Sequence, residues 1–364
     1  MSGPPVAPGR VGRRLLDWRS GGWAFLVSGV LCLVVLGQWV SRLSQRRPVV
    51  GDGRTVASYG FDLSTCLVPQ EQFVAAGFPK DGLPALNEPE LFTPAQMEEF
   101  NRALRRAHRG RFLVDSDRVV GVALAGQARA YPLRILSWHE VVNDTVGGQP
   151  IAVTYNPLCD SAVVFERRVG SETLEFGVSG LLYNSNLVMF DRRAKPEDES
   201  LWSQLQFRAV AGPAAVARRE LAIVPAVLVH WSDWAAQHPD TTILAPVPER
   251  MELYGRSYEP YFGSDKLRFP VSPVPEGGSP HLKAPTIAVR LGEQWHVYTL
   301  AEIAGHVGAG ATWTTEVAGA GVTFHYRADP PAAWVDANRT AVESVYAFWF
   351  AWYALHPEAA ALGG

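Results

Sequence analysis

Most side chains that are able to carry out chemistry lie in one stretch of the sequence, residues 131–204. The polar residues of this stretch interrupt apolar runs rich in Val, Phe and Leu, and they do not form a solvated tail. Polar side chains placed in this way are typical of a site built on a rigid scaffold. The candidate ligand-binding or polar site residues are Glu140, Asn143, Asp144, Asp160, Ser161, Ser179, Asn184 and Asn186.

Cys159 has the most specific chemistry of this stretch. It follows Tyr-Asn-Pro-Leu, so it is predicted to lie in a turn at the end of a strand. Such a cysteine acts as a thiolate nucleophile, or binds a transition metal such as copper together with imidazole and thioether groups. The candidate metal ligands are therefore His139, Cys159 and Met189. Two further interpretations stay open, namely a buried free thiol and a disulfide between Cys159 and Cys66.

Several motifs argue against common enzyme classes. His139 to Asn143 reads H-E-V-V-N, which differs from the zinc motif H-E-x-x-H because asparagine is a poor zinc ligand. Ser179 lacks the second glycine of a hydrolase nucleophile elbow. No P-loop occurs in the sequence, and the net charge is −3, so neither nucleotide nor nucleic-acid binding is indicated.

The N-terminal residues predict a membrane anchor. Residues 1–19 form a short basic tail, and residues 20–41 contain no charged side chain. At about 1.5 Å per residue, a helix over this segment is about 33 Å long, which is enough to cross a bilayer. The apolar run continues into an Arg-rich segment without a small-residue cleavage site, which favours an uncleaved anchor over a signal peptide. We expect residues 42–58 to be a tether, the lipid bilayer to be a partner, and the large domain to be extracytoplasmic on a single-pass membrane protein.

The remaining sequence predicts an α+β fold with a strand-rich core. Thr93 and Pro94 are the N-cap and first residue of a helix over about 95–108. A hairpin is expected around Ala125-Gly126, followed by a short helix over 135–144 and four alternating strands up to residue 193. Residues 225–240 and 346–355 both predict helices, the second one buried.

Two parts of the chain resemble each other and indicate a degenerate internal duplication. Residues 286–303 resemble residues 121–136, and Trp231, Trp234, His238 and Pro239 recur at the same spacing as Trp349, Trp352, His356 and Pro357. We expect the two half-units to pack through their Trp-bearing helices. The corresponding division is a main domain with the polar site (59–245), a Pro-rich linker (246–285) and a C-terminal half-repeat (286–364) that lacks the polar residues.

Several motifs in the same order resemble the bacterial and archaeal family called domain of unknown function 3179. They are KDGLPAL (80–86), ARAYPLRIL (128–136), HEVVND (139–144), YNPLCDSAVVF (155–165), FGVSGLLYNSNLVMFDRR (176–193), ESLWSQL (199–205) and WSDWAAQHPDTTIL (231–244). The resemblance implies an extracytoplasmic, often membrane-anchored protein and no established reaction. Members of that family tend to have a second cysteine where this chain has Asn156, so the departure leaves one thiol.

Two functional hypotheses follow from the sequence. The first is a metal or single-thiolate redox site around Cys159 and His139. The second is a non-catalytic ectodomain whose polar centre binds a ligand or completes a hydrogen-bonded core. Bound metal or a reactive thiol would distinguish them.

Overall fold

The computed structural model describes residues 27–31, 49–277, 280–317, 319–335 and 342–359. Residues 27–31 are helical and exposed, while the basic tail and the rest of the expected anchor lie outside the described residues. Within the described part of the chain, no helix has both the length and the apolar character needed to span a bilayer. Residues 50–364 form one compact unit. It includes Val50 to Ser58, which the sequence assigned to the tether.

Between residues 50 and 359, the described part of the chain contains seven α-helices and twenty-two strands, together with short 3-10 turns. The helices are α1 (Pro94–Arg106), α2 (Leu133–His139), α3 (Pro213–Val216), α4 (Trp231–Gln237), α5 (Glu259–Phe262), α6 (Leu300–Val307) and α7 (Trp349–Leu355). The strands are β1 (Phe73–Ala75), β2 (Leu86–Asn87), β3 (Leu91–Phe92), β4 (Arg118–Leu124), β5 (Gln127–Pro132), β6 (Val141–Val146), β7 (Gln149–Asn156), β8 (Ser161–Glu166), β9 (Arg168–Val169), β10 (Glu172–Thr173), β11 (Phe176–Tyr183), β12 (Asn186–Asp191), β13 (Leu201–Ser203), β14 (Arg208–Ala211), β15 (Val227–His230), β16 (Thr242–Leu244), β17 (Pro285–Leu291), β18 (Gln294–Thr299), β19 (Thr312–Val317), β20 (Ala320–Ala328), β21 (Pro331–Val335) and β22 (Glu343–Phe348).

A seven-stranded sheet with the order β18-β17-β22-β8-β7-β6-β2 forms the middle layer. Successive residues of a strand point to opposite faces, and β8 divides its side chains accordingly between two buried clusters. Val163 and Phe165 pack with the sheet β1-β11-β12-β13-β14, whereas Ala162 and Val164 pack with the sheet β15-β4-β5-β16-β3. Burial on both faces explains why β8 is a continuous apolar run rather than an alternating one.

The predicted strand-rich α+β class is confirmed, and several local predictions hold. Helix α1 begins with a capping box in which Thr93 accepts from the backbone N–H of Gln96. Strands β4 and β5 form the expected hairpin, and both turn residues, Ala125 and Gly126, have positive φ. The helix expected over 135–144 ends at His139, because Glu140 adopts the left-handed conformation and the chain continues as β6.

The predictions of helices over 225–240 and 346–355 were wrong for the first residues of each segment. Residues 227–230 and 343–348 are strands, and the helices begin at Trp231 and Trp349. Each strand pairs with a neighbouring hairpin, so backbone hydrogen bonding across the sheet determines the local conformation there.

The segments that resemble each other in sequence also share topology and register. In each, a hairpin (β4-β5 or β17-β18) leads into a helix, and a later strand (β15 or β22) pairs antiparallel with the first hairpin strand and continues into a seven-residue helix. Gly121 pairs with Val227, and Ala288 pairs with Val345 at the equivalent positions. The hairpin helix and the returning strand are separated by residues 140–226 in the first segment and by a region that contains the small sheet β19-β20-β21 in the second.

Both repeated tryptophans are buried, as expected. Trp234 is 3% exposed and Trp352 is 0% exposed. Trp234 lies against Gly121, where a Cβ atom would come within 2.3 Å of the indole ring. The two indoles belong to different buried clusters on opposite sides of the middle sheet, so the expectation that the half-units pack through these helices was wrong. The half-units are instead joined within the middle sheet, where β22 pairs with β8.

Candidate functional site

The polar site is organised by the turn between β7 and β8, residues 157–160. The side chain of Asn156 accepts a hydrogen bond from the backbone N–H of Cys159 at 3.1 Å, which closes the turn. Asp160 completes it with φ 44°, in the left-handed region that aspartate tolerates better than most residues. The turn places Cys159, Asp160 and Ser161 next to one another, and all three residues are buried.

Asp160 is held by two groups. Arg118 at the start of β4 donates two hydrogen bonds to its carboxylate, each 2.8 Å long, and the hydroxyl of Tyr155 donates a third at 2.6 Å. A bidentate guanidinium–carboxylate pair fixes both partners in orientation as well as in charge. Asp160 is therefore held in a fixed orientation by Arg118 and Tyr155.

Glu140 is a second carboxyl group in a different environment. It is 5% exposed and follows α2 with φ 55°. Asn156 donates to Glu140 Oε1 at 3.3 Å. Burial raises the pKa of Glu140 to about 8. Glu140 is thus protonated at neutral pH and presents a hydrogen-bond donor, which is a frequent property of functional sites.

Cys159 is a buried thiol. Its side chain donates to the carbonyl of Ser185 at 3.3 Å, and it is fully inaccessible to solvent. Burial raises the pKa of the thiol, so Cys159 is uncharged at neutral pH. Cys159 and Cys66 are both free cysteines, so the disulfide considered between them does not form.

A cluster of buried polar side chains, hydrogen-bonded to one another, supports the turn. Asn186 donates to Ser161 Oγ at 3.1 Å and to Gln204 Oε1 at 2.9 Å, and Ser161 donates to Gln204 Oε1 at 2.6 Å. Gln204 in turn donates to Thr154 Oγ1 at 2.9 Å. Because these buried groups satisfy one another, the cluster positions the turn and leaves no free polar group for chemistry.

The described residues of the segment expected to be a Pro-rich linker, 246–277 and 280–285, fold over the turn; we call this segment the strap. Tyr254 hydrogen-bonds to His139 Nε2 at 2.8 Å, and Tyr261 donates to the carbonyl of Leu158 at 3.0 Å. The strap is secured by Lys283, which is 4% exposed and donates to the carbonyls of Tyr261 and Ser264.

A cavity of about 360 Å³ remains between the strap and the inner wall of the site. Arg118 and Tyr155, the two residues that hold Asp160, line one side. The strap and α2 contribute the other walls, whose polar and aromatic side chains are those of Arg134, Ser137, Tyr254, Arg256, Tyr258, Glu259 and Phe262. The volume lies within the range of small-molecule sites, about 300–1,000 Å³.

Comparison with known protein families gives one match. The model of the family described as "Protein of unknown function (DUF3179)" matches residues 80–359, which is more than half of the chain. The chain belongs to the DUF3179 family. No match was found among curated proteins or among solved structures. The matched region of this DUF3179 chain includes the turn, the strap and the hairpins β4-β5 and β17-β18.

His139 does not have a free nitrogen for a metal. Its Nδ1 lies 2.7 Å from the carbonyl of Pro84, which only accepts, so Nδ1 carries the proton and Nε2 accepts from the hydroxyl of Tyr254. Burial lowers the pKa of His139, which keeps the ring neutral. Met189 lies in β12 with its neighbours in the apolar core. Among the residues that the structure describes, no three or more His, Cys, Asp and Glu side chains form a group able to hold a metal ion.

The other predicted site residues serve separate structural contacts. Asn143 links β6 to β11 through hydrogen bonds with the backbone N–H and carbonyl of Phe176. Asp144 pairs with Arg129 at 2.6 Å. Ser179 donates to the carbonyl of Val188 across the β11-β12 pair, and Asn184 accepts from the backbone N–H of the strap residue Ser272 at 2.9 Å.

Several residues important to the site were missed in the sequence. Arg118 and Tyr254 are distant from the turn along the chain, so no local pattern indicated them. Asn156 did carry a signal, because it replaces a cysteine that the family resemblance led us to expect. Its amide bridges Glu140 and the backbone of Cys159, which explains how the turn is stabilised with a single thiol.

Proposed function

We propose that this protein is a non-catalytic binding domain that holds a small, uncharged, hydroxyl-rich molecule, such as a sugar or polyol, in the cavity under the strap. The observation that carries this proposal is the cavity of about 360 Å³ with Arg118 and Tyr155 on its inner wall. Those two residues are fixed by Asp160, so the polar groups facing a ligand are preorganised.

The charges around the cavity favour a neutral polar ligand. Arg118, Arg134 and Arg256 are balanced by Asp160, Asp117 and Glu259, two of which are in ion pairs with Arg118 and Arg134. A wall that alternates guanidinium, carboxylate and hydroxyl groups offers both donors and acceptors, as hydroxyl groups require. The rings of Tyr258 and Phe262 add flat apolar surface for the ring faces of a sugar.

A metal or redox role for Cys159 has less physical support. A nucleophilic or metal-binding cysteine is a thiolate, whereas burial raises the pKa of Cys159 and its thiol donates to a carbonyl. Both nitrogens of His139 are engaged by Pro84 and Tyr254. We therefore favour binding over metal or thiol chemistry.

The proposed binding is tested by ligand-observed NMR with a panel of monosaccharides, disaccharides and polyols. Saturation transfer from the full-length protein to one member of the panel is expected, and Arg256→Ala and Tyr258→Ala should weaken the binding about ten-fold. Arg102→Ala removes an exposed arginine of α1 outside the cavity and is the matched control. A panel without any binder, or binding that both cavity variants leave unchanged, would argue against the proposal.

We also propose that the uncharged segment 20–41 anchors the chain in a membrane, with residues 59–364 outside the cytoplasm. The support is the length and the lack of charge of that segment in the sequence. We further propose that the two half-units descend from one duplicated unit, since they share topology, register and the Trp-x-x-Trp-x-x-x-His-Pro helix end. The polar turn then belongs to the long insertion of the first copy, residues 140–226.

A further inference from the structure

The ends of the two Trp-bearing helices have nearly the same geometry. His238 follows α4 and His356 follows α7, and the backbone N–H of each donates to the carbonyl of the tryptophan four residues earlier at 2.9 Å. The imidazole of His238 lies 4.1 Å from the Trp234 ring, and that of His356 lies 4.2 Å from the Trp352 ring. The surroundings of His238 and His356 can therefore be compared directly.

In the second half-unit, a third aromatic ring completes the arrangement. Phe207 stacks on His356 with the ring centroids 5.4 Å apart and the planes inclined by 21°. Trp295 also packs there, 5.0 Å from Trp352 and 5.4 Å from Phe207. His356 is correspondingly buried, at 9% exposure.

In the first half-unit, a cavity of about 260 Å³ borders the corresponding residues Trp234 and His238. Ala128 stands where the second copy has Trp295, as the shared register of the hairpins requires. The cavity is lined by Trp234 and His238 on one side and by Trp334 and His325 on the other. The last two rings stack on each other, 5.3 Å apart with an angle of 6° between their planes.

We infer that this cavity is a second binding site, which takes a small planar aromatic molecule. The ligand ring occupies the place that Phe207 fills in the other half-unit, and it packs on the imidazole of His238. Stacking contributes about 0.5–1.5 kcal/mol beyond the burial of apolar area, and His238 and His325 supply polar groups for a heteroaromatic edge. The site is separate from the cavity under the strap and does not depend on the proposed function.

The experiment uses 5-fluoroindole as the probe and observes it by ¹⁹F NMR with the full-length protein. Binding to the wild type is expected, and His238→Ala, which removes the stacking surface, and Ala123→Phe, which fills the cavity, should each weaken it about ten-fold. His306→Ala removes a histidine that stacks on Trp313 outside this cavity, and it should leave binding unchanged. Cyclohexanol, which has a similar ring size and no π system, should fail to compete.

Indole N–H signals of the ¹⁵N-labelled wild type give a measurement that does not depend on how the variants fold. Addition of 5-fluoroindole should shift the signals of Trp234 and Trp334 and leave that of Trp313 unchanged. The inference is overturned if 5-fluoroindole does not bind at millimolar concentration, if these two signals stay in place, or if cyclohexanol competes equally.

Discussion

Substitution of Glu140 by glutamine tests the protonated carboxyl at the centre of the site. Glutamine has the same shape and is always neutral, and its oxygen can keep the hydrogen bond from Asn156. The variant therefore changes only whether this position is able to ionise. We expect Glu140→Gln to become more stable than the wild type as the pH rises.

The sign and magnitude of this pH dependence of the free energy of unfolding follow from the pKa of Glu140 in the folded and unfolded wild type. Folded Glu140 keeps its proton up to about pH 8, whereas an exposed glutamate has a pKa of 4.5. Between these values the unfolded chain binds fewer protons, so the free energy of unfolding falls as the pH rises from 4.5 to 8 and levels off above. At 1.36 kcal/mol per pH unit, this change amounts to about 3–5 kcal/mol.

Urea unfolding of both proteins from pH 5 to pH 9 measures the effect. The difference between them isolates Glu140, because buried histidines such as His139 and His356, whose pKa values are lowered, act in the opposite direction in both proteins. Glu99→Gln, at an exposed position of α1, is the control and should follow the wild type. Parallel stability curves for wild type and Glu140→Gln would refute the assignment of a raised pKa.

Three further predictions concern the turn and the core. Asp160→Asn keeps a residue that tolerates positive φ but removes the charge beside Arg118, so we expect chemical denaturation to show a loss of about 1.5–3 kcal/mol; an unchanged stability would contradict the ion-pair assignment. Cys159 should react with a thiol reagent only after unfolding, and rapid labelling of Cys159 in the native protein would contradict its burial. Trp234→Ala and Trp352→Ala should each cost about 3–5 kcal/mol of unfolding free energy, and a loss below about 1 kcal/mol for either would contradict its place in the core.

Strands and caps were predictable where the sequence pattern is local. The capping box at Thr93 and the Ala125-Gly126 turn involve residues next to each other in the chain, so composition and spacing are sufficient. The strands at 227–230 and 343–348 were not predictable in this way. Their apolar residues also fit a buried helix, and only pairing with β4 and β17 determines the strand conformation.

The strap was assigned as a linker because it is rich in proline and has no regular period. Its function in the fold depends on Tyr254, Tyr261 and Lys283, whose partners are distant along the chain or are backbone carbonyls. Such contacts leave no pattern in a single sequence. The clustering of Glu140, Cys159 and Asp160 around one turn was within reach of the sequence, whereas the cavity and its arginine wall were not.

A crystal structure of the protein soaked with the compound selected from the sugar and polyol panel tests the central claim most directly. We predict density for the compound in the cavity under the strap, in contact with Arg118, Tyr155 and Tyr258. Density for the compound elsewhere on the protein, or for a metal ion bound by Cys159 and His139, would contradict the binding function proposed for this site.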